Sequence, residues 1–157
     1  MSPRTEITPT DIMATAEYAK IRREHRRKLV AIKQHRRVHI GPYVTLYFEN
    51  YDTMWAQVQE MLYIEGGGDD QLEGELAAYN PLIPKGNELV ATMMIEIEDE
   101  TLRRNLLARM GHVETMVSIN FAGHTLTGEP EADLDRTTEE GKTSSVHFLH
   151  FAFTPEQ

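Results

Sequence analysis

The chain has 157 residues, 40% of them hydrophobic and 26% charged, with no cysteine and a net charge of −9. That length suits one ordinary domain, and the apolar share excludes a disordered chain. The lack of Cys excludes disulfides, thiolate nucleophiles and cysteine-held iron–sulfur or zinc sites.

The opening residues Met1-Ser2-Pro3-Arg4-Thr5-Glu6 lack the apolar core of a signal peptide, and no apolar run approaches the ~20 residues that span a bilayer. We expect one globular domain over 1–157, cytoplasmic and without membrane contact. Thr8-Pro9-Thr10-Asp11 reads as a helix start with Thr10 or Asp11 as N-cap. Neither Gly nor Pro then interrupts the chain before Gly41-Pro42, and apolar residues recur at helical spacing, which predicts one long helix over about 10–37. Residues 20–37 hold nine Lys and Arg against Glu24 alone, a local +8 that leaves −17 for the rest of a chain whose total is −9.

Residues 43–48 alternate as a strand, and Asn50-Tyr51-Asp52-Thr53 is a capping turn before a helix whose stripe is Met54, Trp55, Val58, Met61 and Leu62. Gly66-Gly67-Gly68 ends it. A short helix over 72–79 stops at Pro81 and Pro84. Residues 88–97 form the clearest strand, and Asp99 caps a further helix that Gly111 ends. Residues 113–121 alternate as a strand, 123–143 read as a polar loop or long hairpin tip, and 144–153 read as a last strand. Both faces of that last strand are apolar, which places it centrally. The last two strands are expected to pair as a hairpin. The fold class is α+β: an antiparallel or mixed sheet of about four strands, packed with the long basic helix and two to three further helices.

Several chemistries are missing from the pattern. There is no His-Glu-x-x-His, no Glu followed three residues later by His, no G-x-S-x-G elbow and no G-x-G-x-x-G. Gly141-Lys142-Thr143 imitates the end of a phosphate loop, but Arg136 stands where its first glycine belongs and a strand follows instead of a helix. His35 and His39 have chelating i, i+4 spacing, yet the helix ends near them and arginines surround them. His147 and His150 sit three apart on a strand and face opposite ways.

The basic stretch offers Arg22, Arg23, Arg26, Arg27 and Lys33 to an acidic protein partner or an anion, unless these cations pair with acids of the same domain. Nucleic acid is the weaker reading, because the −9 total repels phosphates and no aromatic residues flank the helix. Glu60, beside Met61 and Leu62, reads as a salt-bridged carboxylate paired with Arg36 or Arg37, or as an acid with a raised pKa.

Several separate blocks, in order along most of the chain, resemble the bacterial DUF3501 family. They are Lys33 through Arg37 followed by Val38-His39-Ile40-Gly41-Pro42; Phe48-Glu49-Asn50; Thr53 with Gln57-Val58-Gln59-Glu60-Met61; Glu75-Leu76 with Tyr79-Asn80-Pro81-Leu82-Ile83-Pro84; Glu88-Leu89-Val90-Ala91-Thr92; and Ser144-Ser145-Val146-His147-Phe148. The resemblance implies no catalytic set. It implies gene neighbours of the rubrerythrin-like and iron–sulfur oxidoreductase kinds, hence a role in redox or peroxide-stress metabolism, and a further segment beyond residue 157. The polar positions inside the matching blocks are Arg36, Arg37, Glu49, Asn50, Gln57, Glu60, Tyr79, Asn80 and His147, a candidate buried network.

Three functions follow as expectations. The first is a non-enzymatic accessory protein of a redox partner. The second is a metal- or cofactor-binding enzyme using His39, Glu49, Glu60 and His147, nitrogen and oxygen donors that suit iron, manganese or zinc. The third is a nucleic-acid binder through the basic helix. A homo-oligomer is compatible with each.

Overall fold

A computed structural model describes residues 3–131 and 142–157. Residues 132–141 of the expected polar loop, with Arg136 and Gly141 of the rejected phosphate loop, lie outside the described residues. The chain groups into two compact units, Met1–Arg36 with Glu49–Gly86 and Arg37–Phe48 with Asn87–Gln157.

The first unit is helical. Thr8 and Asp11 form a capping box around a short 3-10 turn, Pro9–Asp11, so the expected capping residues close a turn of their own. The long helix α1, Thr15–Gln34, begins afterwards at Ala14, which offers no side-chain cap, with Glu17 in the first turn and Lys33 in the last. Those charges suit the two ends of the helix dipole. Asn50 caps α2, Tyr51–Glu65: its side chain accepts from the Thr53 N–H, and Thr53 returns the bond. Gly66, with φ 65°, ends α2 in the left-handed conformation that glycine adopts without Cβ strain. Helix α3, Gly68–Tyr79, leads into a 3-10 turn at Asn80–Leu82. Tyr18, Met54, Ala56, Val58, Leu62, Leu76 and Leu82 are buried in this unit.

The second unit is built on strands. The long helix does not reach residue 37 as the pattern predicts. Arg37–Ile40 forms β1, which turns through Gly41, at φ 62°, and pairs antiparallel with β2, Val44–Phe48. β-branched Val38 and Ile40 suit a strand, and Gly41 supplies the positive φ of the turn. With β3 (Glu88–Ile95), β6 (Glu129–Pro130) and β7 (Val146–Ala152) they make a five-stranded sheet in the order β1-β2-β3-β7-β6, antiparallel throughout. The fold is α+β as expected, with a sheet larger than about four strands because β1 and β6 add its two edges.

β7 lies inside that sheet between β3 and β6, with His147, Leu149 and Phe151 buried. Asp99 caps α4, Glu100–Leu107, by accepting from the Leu102 N–H at 2.7 Å. That helix ends at Ala108, and the left-handed residue beyond it is His112 (φ 64°), not Gly111. The expected strand over 113–121 divides into a 3-10 turn, Val113–Thr115, and β4, Ser118–Phe121. β4 pairs with β5, His124–Thr127, through a turn at Ala122 and Gly123 that both have positive φ, so the expected hairpin between the last two strands is replaced by this local one. The core gathers Leu46, Ala91, Met93, Leu126, Leu149 and Phe151, with Ile95, Ile97 and Leu107 beside α4. Burying a side chain as large as Phe151 contributes roughly 2–3 kcal/mol. Among the described residues no helix is long and apolar enough to cross a membrane.

Candidate functional site

In the first unit, α1 packs against α2 along a narrow stripe, and Tyr18 is its one fully buried side chain. The Tyr18 hydroxyl donates to Glu60 Oε1 at 2.8 Å. One turn later Arg22 lays its guanidinium fork on the same carboxylate, with Nε–Oε1 at 3.1 Å and Nη2–Oε2 at 3.0 Å. Its flat face stacks 4.4 Å from the centre of the Tyr63 ring. Burial pushes the Glu60 carboxyl up, but the bonds from Arg22 and Tyr18 and the charges of Arg22 and Arg26 outweigh it and hold Glu60 below its usual range. Glu60 is therefore an ionised clamp between α1 and α2, paired with Arg22 and not with Arg36 or Arg37.

The other cations of α1 are not consumed in this way. Lys20 pairs with Glu17 and Lys28 with Glu24 along the helix surface. Arg23, Arg26 and Arg27 are exposed and Lys33 is half-buried, and none of the four forms an ion pair among the described residues. Among the described residues, intramolecular ion pairing, the alternative to a partner, accounts for Arg22 alone of the five proposed docking cations.

The family-like polar positions divide between the two units. In the first, Arg36 Nη2 donates to the Glu49 carbonyl at 3.2 Å, and the buried Glu49 carboxylate accepts from the Thr53 hydroxyl at 2.5 Å beside the Asn50 cap. Gln57 Nε2 donates to the Tyr79 hydroxyl at 3.3 Å. Asn80 exchanges two bonds with the backbone of Ile7, at 2.8 and 2.9 Å, as a strand partner would. Arg37 and His147 belong to the second unit. Arg37 is exposed on β1. His147 is buried, with Nε2 2.8 Å from both Thr143 Oγ1 and the Ser144 carbonyl and Nδ1 3.8 Å from the buried Glu114 carboxylate.

Of the metal-ligand candidates, Glu49 and Glu60 are held by Thr53 and by Arg22 with Tyr18, while His39 Nδ1 lies 3.0 Å from Thr45 Oγ1 and His147 has the contacts just given. Among the described residues no three His, Asp or Glu side chains are grouped so as to hold a metal ion.

Sequence reasoning missed two features. Gln59, 1% exposed, accepts from the Met13 N–H at 2.7 Å and donates to the Met13 carbonyl at 3.3 Å, fixing the chain just before α1. Its signal was a polar residue inside an apolar helical stripe, between Val58 and Leu62. The other is His150, which bridges the carboxylates of Glu88, at 3.1 Å, and Glu131 in the second unit.

No curated protein matches the chain. A solved structure, described as a novel protein of unknown function from Burkholderia pseudomallei K96243, is similar at 38% identity and a TM-score of 0.88, over 96% of this chain and 78% of that one. A family described as a protein of unknown function, DUF3501, matches residues 6–157. The chain belongs to the DUF3501 family.

Proposed function

We propose that this protein is a non-enzymatic accessory protein that docks through α1 on the acidic surface of a redox partner. One observation carries the reading: Arg23, Arg26, Arg27 and Lys33 stand on one helix without an ion pair among the described residues, in a chain whose total charge is −9. Keeping neighbouring cations on one helix costs self-repulsion, and an acidic partner surface relieves it. The redox character of the partner rests on the gene neighbours that the family resemblance implies.

The test titrates the protein against a rubrerythrin-like protein encoded in the same genome, by calorimetry at low and at moderate salt. Binding should weaken about tenfold or more as ionic strength shortens the screening length below ~10 Å. Charge reversal at Arg23, Arg26 and Arg27 should abolish it. An affinity indifferent both to salt and to these reversals would refute the docking face.

A further inference from the structure

Two adjoining concavities run along α1, and Arg26 and Val30 line both. The first, about 540 Å³, has Arg22, Arg23, Arg26 and Arg27 on its rim and Ala19, Val30 and Tyr63 as its apolar part. The second, about 250 Å³, continues past Leu29 and Ala56 to Lys33 and Gln57. From Ala19 to Lys33 the helix rises ~20 Å, about four turns. Val30 is 62% exposed between the two, an aliphatic side chain among cations.

We propose that this groove binds an acidic amphipathic helix of a partner protein, with one apolar anchor residue seated beside Val30 and carboxylates reaching the arginine rim. The proposal rests on the docking reading above and gives it a place and a ligand class. Three properties of the groove select that occupant. Its length matches a few turns of helix, and a helix satisfies its own backbone while lying between the ridges of α1 and α2. Its rim is positive throughout, and the one acid lining it, Glu60, is already neutralised by Arg22. Its apolar strip gives an anchor somewhere to be desolvated, and arginine is among the residue types that most often carry binding energy at an interface. A nucleic acid fits less well: Tyr63, the aromatic side chain of the larger concavity, already carries the Arg22 guanidinium on its ring, and that face is lost to base stacking.

The experiment uses fluorescence anisotropy with the full chain and a labelled synthetic helix of about fifteen residues, carrying Glu on two flanking stripes and Leu on the central one. Parallel peptides change the Leu residues to Ser or the Glu residues to Lys. Parallel proteins carry Val30→Asp, or Arg23→Glu with Arg27→Glu. All three protein positions are exposed, and thermal melting checks that the variants fold. Each of the four changes should weaken binding at least about tenfold.

If Leu→Ser and Val30→Asp leave affinity unchanged while the arginine reversals remove it, the groove proposal falls and the electrostatic docking reading stands. If the arginine reversals and added salt change nothing while Val30→Asp removes binding, the docking reading falls. Absence of binding by any peptide, tighter binding of a single-stranded oligonucleotide, or a salt-sensitive dimer of the free protein lost on arginine reversal would each overturn the proposal.

Discussion

Replacing Gln59 by Met keeps the volume of the side chain and removes its two hydrogen bonds to Met13. Gln59 is 1% exposed, so its amide has no water to fall back on, and Met13, half-buried, loses a partner for both its N–H and its carbonyl. Two net hydrogen bonds are worth ~1 kcal/mol each, and an orphaned backbone group adds ~1–3 kcal/mol, of which partial hydration of Met13 returns some. The expected loss is about 2–4 kcal/mol, with a Tm lower by roughly 5–15 °C for a chain of this size. Urea titration gives the free energy, and hydrogen exchange at the Met13 amide shows whether the lost bond is the cause. A loss below about 0.5 kcal/mol with unchanged Met13 protection would refute the view that Gln59 fixes the start of α1.

Burial pushes His150 down, but the bonds from Glu131 and Glu88 and their charges prevail, and its pKa stands above the ordinary 6.5. The clasp therefore stabilises fully below pH 6.5 and is lost as pH rises through the folded value, so a urea-stability series should slope down as pH rises from 6.5 and His150→Gln should flatten that slope. Gly66→Ala should cost about 1–2 kcal/mol, since φ is 65° and the added Cβ meets nothing within 4 Å, so that the cost is backbone strain alone; chemical denaturation reads it directly. Arg23→Glu combined with Arg27→Glu should leave Tm within about 2 °C, because neither forms an ion pair among the described residues, and differential scanning calorimetry checks this.

The features legible in the sequence are those settled within one turn of chain. Asn50 and Asp99 cap helices because their short side chains reach an N–H three residues on, and Gly66 ends one because it tolerates a positive φ. The common face of His147, Leu149 and Phe151 on β7 is equally local, since alternation alone puts them together, although their burial is known only from the sheet. Family membership was visible too, because several separate blocks in the right order are hard to match by chance.

Strand pairing was not visible. β-branched Val38 and Ile40 tilt residues 37–40 only weakly toward a strand, and it is pairing with β2 that makes them an edge strand and not the end of the basic helix. The partner of β4 depended on a local turn at Ala122 and Gly123 that alternation does not register. The site shows the same division. Sequence located the positive stripe, because charge is counted along the chain. Which arginine neutralises Glu60 was decided by the packing of α1 on α2: that contact brings Arg22, 38 positions away, onto the carboxylate and leaves Arg23, Arg26, Arg27 and Lys33 without an ion pair among the described residues. Composition and local geometry determined the elements and the charge of this protein, whereas only tertiary packing decided which of those charges stand without an ion pair among the described residues.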